Sequence, residues 1–175
     1  MSDLRQDFID GMAQAAATVT IVATDGLAGK AGVTVSAMSS VSADTEKPTL
    51  LVCVNDSTSA ARRIIKNGVF SVNLLSDNQM KVSEIFAGRF GHGEEEKFAA
   101  TNWSSGASGA PLLGGALASF DCKLVGDHIV GTHHVFFGEV EQVGRSGHGR
   151  ALVYASRSYR TISSIPPTVN EGKET

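Results

Sequence analysis

Two stretches of the chain concentrate small and hydroxyl-bearing residues beside apolar runs. They are GVTVSAMSSVS, from Gly32 to Ser42, and NDSTS, from Asn55 to Ser59. The pattern suits phosphate binding, because serine and threonine hydroxyls and the free N–H groups at a helix N-terminus satisfy acceptor oxygens, and the helix dipole favours their charge. Arg62, Arg63 and Arg89 are available to neutralise what remains. The competing explanation is that the same hydroxyls cap turns and helices.

Other chemistries fare worse. A phosphate loop requires four residues between its first glycine and Gly-Lys-Ser/Thr; GLAGKAG offers two, and no hydroxyl follows Lys30. The G-x-G triplets at 91–93 and 147–149 do not complete a dinucleotide fingerprint between a strand and a helix. His92, His128, His133, His134 and His148 show no H-E-x-x-H spacing and have no cysteine pair nearby, so no metal centre is expected. His133 and His134 are adjacent, and on a strand they must face opposite sides. G-x-S-x-G is missing, which argues against a hydrolase nucleophile. Glu94 to Glu96 read as a solvated loop, Trp103 as a core or rim anchor, and Cys53 and Cys122 as buried thiols rather than a disulfide.

The elements that must position these groups follow from periodicity. Leu4, Phe8, Met12 and Ala15 recur at helical intervals behind Ser2 or Asp3, which predicts a first helix whose apolar stripe is structural. Val19, Ile21 and Ala23, then a glycine-rich connection, then Val33 and Val35 predict a β-hairpin. TLLVCVN reads as a strand buried on both faces. TSAARRIIKN predicts a helix opening after Asp56 or Ser57 and closing at Gly68, with Arg62, Arg63 and Lys66 along its outer side. VFSVNLL returns to strand, and SDNQMKVSEIFAG makes a helix capped by Ser76 or Asp77 and stopped at Gly88. The pieces 91–97 and TNWSSGASGAP read as surface loop. ALASFDCKLVGD, HIVGTHHVFFGEVEQVG and ALVYASRSYRTI read as strands. Short strands without a βαβ rhythm predict a mainly β, mostly antiparallel barrel with peripheral helices.

The whole composition agrees with one domain. The chain has 175 residues, 42% of them hydrophobic, and 15 basic against 18 acidic residues leave a net charge of −3. That balance gives no footprint for nucleic acid or an acidic membrane, and no apolar run is long enough to span a bilayer. The N-terminus lacks the apolar core of a signal peptide, which places the chain in the cytoplasm. A single domain over 1–163 and a tail over 164–175, with two adjacent prolines, are expected.

From about Phe8 to Ile162 the chain resembles the short-chain flavin reductases of the FMN-binding split-barrel fold. The resemblance rests on GVTVSAMSSVS, on PTLLVCVN with Ser57 and Ser59 after it, and on FSVNLLS at Phe70 to Ser76. IFAGRF at Ile85 to Phe90, GALASFDC at Gly115 to Cys122, HHVFFGEV at His133 to Val140, and SYR at Ser158 to Arg160 complete it.

The resemblance implies a homodimer that binds FMN, with FAD also open, and accepts hydride from NADH or NADPH. It places Thr34, Val35, Ser36, Ala37, Met38, Ser39 and Ser40 along the isoalloxazine edge, largely through backbone groups. Asn55, Ser57 and Ser59 would hold ribityl and phosphate oxygens, with Cys53 and Val54 beside them. Phe86, Ala87, Gly88 and Arg89 would meet the phosphate side, and Tyr159 would also touch the cofactor. His133 matches the histidine of the family's Gly-Asp-His motif beside the nicotinamide, although Thr132 stands where aspartate is usual. Gly126-Asp127-His128 repeats the tripeptide a few residues early, but the following residues anchor the match to His133.

Electrons from such a reductase go to a partner monooxygenase. Similar short reductases instead reduce the cobalt of a corrinoid, as cob(II)yrinic acid a,c-diamide reductases of cobalamin biosynthesis, and that acceptor stays open. A non-catalytic flavin- or haem-binding barrel is the reading from a different class. A pyridoxine-phosphate-oxidase-like enzyme fits less well, because its larger basic set is not visible here.

Overall fold

The computed structural model describes residues 3–146 and 148–165. Helix α1, Leu4–Met12, starts where the Asp3 carboxylate accepts from Arg5 N–H. Strands β1 (Ala17–Thr18), β2 (Thr20–Thr24) and β3 (Ala31–Val35) follow. The β2–β3 connection turns through Gly29, whose φ of 81° favours glycine. Asn67 reaches across to hold it, accepting from Ala28 N–H and donating to the Gly29 carbonyl.

Next come β4 (Met38–Ser42), β5 (Thr49–Asn55), α2 (Ser59–Asn67) and β6 (Val69–Leu74). A 3-10 turn at Asp77–Gln79 leads into α3 (Met80–Phe86), followed by α4 (Glu94–Ala99). The remaining strands are β7 (Trp103–Ser105), β8 (Pro111–Leu113), β9 (Ala118–Val130), β10 (His133–Arg145), β11 (Leu152–Ala155) and β12 (Ser158–Thr161).

Seven strands form one antiparallel sheet in the order β3-β2-β6-β9-β10-β5-β4. Its two edge strands, β3 and β4, are consecutive in the chain and joined only by Ser36 and Ala37. The sheet therefore has to curl until its edges nearly meet, which makes a barrel split at that link. The interior holds Val22, Val52, Val54, Phe70, Val72 and Phe136, all buried. A second core, with Ile21, Leu75, Phe86, Phe98 and Leu152, lies under the helices and the β7–β8 hairpin. β1, β11 and β12 form a small separate sheet.

The expected hairpin, the helix closing at Gly68 and the antiparallel barrel are all present. Four expectations are corrected. TLLVCVN is buried on one face only, through Leu50, Val52 and Val54, while Leu51, Cys53 and Asn55 stand half-buried on the other. Among the described residues the stripe of α1 meets no core: Leu4 is 83% exposed and Phe8 67%. Residues 94–99 are helical rather than loop, because Phe98 inserts into the second core and Glu94 is bonded on three sides. TNWSSGASGAP contributes β7 and the start of β8, since Trp103 packs on Phe86 and Phe98 at 5.6 and 4.8 Å between ring centres. Residues 166–175 of the expected tail lie outside the described residues. Among the described residues no helix is long and apolar enough to cross a membrane.

Candidate functional site

At the split, Thr34 and Ser36 face a cavity of about 220 Å³ whose other walls are Val19, Ser83, Ala87, Arg89, Tyr154 and Tyr159. Three distant segments converge there for local reasons. β3 ends at Val35, whose carbonyl accepts from the buried Thr20 hydroxyl at 2.8 Å. α3 stops at Ala87 and Gly88, the latter at a φ of 80°, and this turns the chain so that Arg89 comes to the rim. The tight β11–β12 hairpin pairs Tyr154 with Tyr159, ring edge to ring face at 5.2 Å.

A run of hydrogen bonds sets the polar side of this cavity. Thr34 Oγ1 donates to the Ser83 carbonyl at 2.6 Å, and Ser83 Oγ shares a bond with Tyr159 OH at 2.9 Å. Arg89 is paired with Glu84 at 2.6 Å and its side chain is 56% exposed, so a stronger anion arriving in water can draw it away. Tyrosine rings, a valine, an alanine and a few convergent hydroxyls make a slot for a flat, mostly apolar ligand with a polar edge. The exposed Ser36 and Ala37 leave backbone accessible along that edge.

The rim continues along neighbouring strand ends. Cys53 N–H donates to the Ala37 carbonyl at 2.9 Å, and two residues on, Asn55 lies opposite His133 on β10. His133 is exposed, with Nδ1 3.1 Å from Thr132 Oγ1. It is not among the residues that line the cavity of Thr34. The alternation expected of adjacent histidines holds, because His134 points inward and is 4% exposed.

The hydroxyls after β5 are engaged locally. Asn55 Oδ1 accepts from Ser57 N–H and Ser57 Oγ at 2.9 and 2.7 Å, while Thr58, missed as the cap of α2, bonds Ala61 N–H. Ser59 Oγ donates to Glu94 Oε1 at 2.7 Å and faces a separate cavity of about 430 Å³ with Arg62, Arg63 and Lys66. Ser59 does not line the cavity of Thr34 and Tyr159, and a carboxylate beside its hydroxyl disfavours a phosphate there. Val35, Val54 and Phe86 are core residues at 6%, 1% and 2% exposure, with their side chains directed inward. Phe86 rests against Gly32 and Phe98. Met38 packs on the barrel core, whereas Ser39 and Ser40 are exposed on β4. Val19, Ser83 and Tyr154 were missed, since nothing in their local sequence distinguishes them from packing residues.

Residues 12–163 match the flavin reductase like domain family. The chain is 45% identical over 162 residues to the FMN reductase (NADH) RutF of Ancylobacter novellus, covering 93% of this chain and 87% of the relative. It is 45% identical over 161 residues to that of Stutzerimonas stutzeri, covering 92% and 90%. Among solved structures it is similar to BorF, the flavin reductase component of a bacterial two-component tryptophan halogenase, with a TM-score of 0.82 and 30% identity over 92% of this chain and 99% of that one. With its split barrel and the cavity at the split, this chain belongs to the flavin reductase like domain family.

Proposed function

We propose that the protein is an NADH-dependent FMN reductase that supplies reduced flavin to a partner oxygenase. One observation carries this reading. The cavity at the split gathers Thr34, Ser36, Ala87, Arg89 and Tyr159, five residues expected to touch a flavin, from three separate parts of the chain. The names of its relatives, FMN reductase (NADH), give the cofactor and the donor, and BorF gives the two-component pairing.

The residues present fit a flavin. Tyr154, Tyr159 and Val19 supply flat apolar walls, and Ser36 lines the same cavity, with exposed backbone there and at Ala37 available to a polar ring edge. Arg89 supplies a cation for the phosphate, exchanging Glu84 for it. Bound there, FMN supplies the hydride-accepting ring, and the redox chemistry belongs to it. The chain binds and orients the ring, keeps water from its walled side, and places backbone N–H donors where negative charge develops. His133, an expected nicotinamide contact, projects from the strand end beside Asn55.

The cavity is smaller than the several hundred Å³ usual for ligand pockets, at about 220 Å³. We therefore place the complete site in a homodimer, where a second chain adds the missing wall. The exposed stripe of α1 and the half-buried Leu51, Cys53, Val135 and Phe137 on the outer sheet face offer the surface for it. Two free thiols fit a reducing, cytoplasmic location. The test is NADH consumption by purified protein with and without added FMN. Consumption that depends on FMN and saturates with it supports the proposal, and none with either nicotinamide nucleotide overturns it.

A further inference from the structure

We infer that His134 is a positioning residue: its imidazole fastens the loop that carries Asn55 and Ser57 to the strand end that carries His133. The catalytic consequence rests on the flavin reductase reading, but the clamp itself is a matter of structure.

His134 points into the barrel from β10, and its ring lies nearly parallel to Phe136 at 5.1 Å and 12°. Nδ1 is 2.7 Å from Asp127 Oδ1 on β9, and Nε2 is 3.0 Å from Asp56 Oδ1 in the loop after β5. Ionised carboxylates only accept hydrogen bonds, and a neutral imidazole has one N–H. Both bonds can form together only if both ring nitrogens carry hydrogen. The side chains of Asp56 and Asp127 are 66% and 28% exposed.

The surroundings add no third ionic partner to the imidazole among the described residues. Its cross-strand neighbours are the apolar Val54 and Ile129. Helix α2 directs Arg62 and Lys66 to solvent, and Arg63 Nη1 donates to the Lys30 carbonyl. His133 turns away, toward Thr132. Burial draws His134 toward its neutral form, but the bonds to Asp127 and Asp56 and their charges outweigh it, and its pKa rises above the ordinary value.

The clamp acts where the site is assembled from strand ends. Asp56 N–H donates to the Thr132 carbonyl at 3.0 Å, so the loop is tied to the β9–β10 turn by backbone as well as by side chain. Asn55 and Ser57 stand on one side of that tie, and His133 on the other. Deprotonation of His134 removes one of its two donors and leaves a carboxylate without its partner, which loosens loop and turn together.

The test compares wild type, His134→Leu and Asp56→Ala. Nitrogen NMR of His134 should show both ring nitrogens still protonated above pH 6.5, its ordinary value. Amide exchange at Asp56 and Ser57 should quicken in both variants. Flavin Kd and KM for NADH should rise about threefold to tenfold, the effect of a charge-assisted bond in partly exposed surroundings, while kcat falls by less than about twofold. The wild-type affinities should weaken as pH rises through the titration of His134, and that dependence should vanish in His134→Leu. Asp56→Ala removes the acceptor, keeps the buried ring and decides the matter if His134→Leu fails to fold. A bare ring nitrogen below pH 6.5, or unchanged exchange and affinities in Asp56→Ala, overturns the clamp. If wild type reduces no flavin, the functional reading fails, while the NMR and exchange results still decide the clamp.

Discussion

At the scale of single residues, the proposed site divides between groups expected to touch flavin and groups that hold them. Arg89 is tied only to the neighbouring Glu84, so Arg89→Ala costs little fold stability. It should weaken FMN binding by about tenfold, the value of one charge-assisted bond, and leave riboflavin, which has no phosphate, unaffected. Fluorescence titration with the two flavins checks this, and equal losses would remove Arg89 from the phosphate. His133→Ala should slow flavin reduction with a modest loss of flavin affinity; unchanged stopped-flow reduction would exclude the imidazole from the mechanism.

His134 also links stability to pH. Its folded pKa lies above the ordinary 6.5, so its contribution is complete below that pH and is lost as pH rises through the folded value. Thermal melts should show the wild type losing more stability across that range than His134→Leu. Cys122 moves the other way in accessibility: burial, with the charges of Asp121 and Glu141, pushes its thiol up to about 12, so it stays protonated and inert.

At the scale of elements, Gly32 on β3 lets α3 lie close to the sheet. A Cβ there would sit 2.6 Å from Phe86 Cε1, inside the second core, where the ring is held by Phe98 and Trp103. Gly32→Ala should therefore destabilise the fold by about 1–3 kcal/mol, the usual cost of overpacking. Because α3 leads directly to Ala87 and Arg89, flavin affinity should fall as well. Denaturant melts and flavin titration read the two effects, and a neutral substitution would show that α3 shifts freely.

What was legible in the sequence follows from range. The β2–β3 hairpin and the cap at Gly68 depend on neighbours a few residues apart, and period and turn chemistry expose them. Thr34, Ser36, Ala87, Arg89 and Tyr159 are expected from the family resemblance, and the curl of the sheet brings them to one cavity. Glu94 was misread as solvated because its partners, Gly32 and Ser59, lie 62 and 35 residues away. His134 showed only as a strand residue, since Asp56 is 78 residues distant and meets it only once β5 and β10 pair. Phe86, Val35 and Val54 belong to the right segments, but the alternation of a strand or the turn of a helix directs their side chains inward.

At the scale of the whole molecule, the single chain leaves two surfaces unfinished. The cavity at the split is open, and α1 exposes Leu4, Phe8 and Met12 while, among the described residues, its far end is tied down through Ser156 N–H to the Ala13 carbonyl and Arg157 to Asp10. Phe8→Glu puts a charge in that stripe, where it costs the isolated chain almost nothing. Sedimentation should show a dimer for wild type and a shift toward monomer for the variant, with flavin affinity falling alongside. A variant that remains fully dimeric with unaltered affinity would assign the dimer contact to another face.

The central claim is hydride transfer from NADH to FMN at the split of the barrel, and anaerobic mixing tests it most directly. Catalytic amounts of protein, excess FMN and NADH should bleach the flavin absorbance over many turnovers, with Arg89→Ala requiring more FMN for the same rate. Bleaching no faster than NADH and FMN achieve without protein would contradict it.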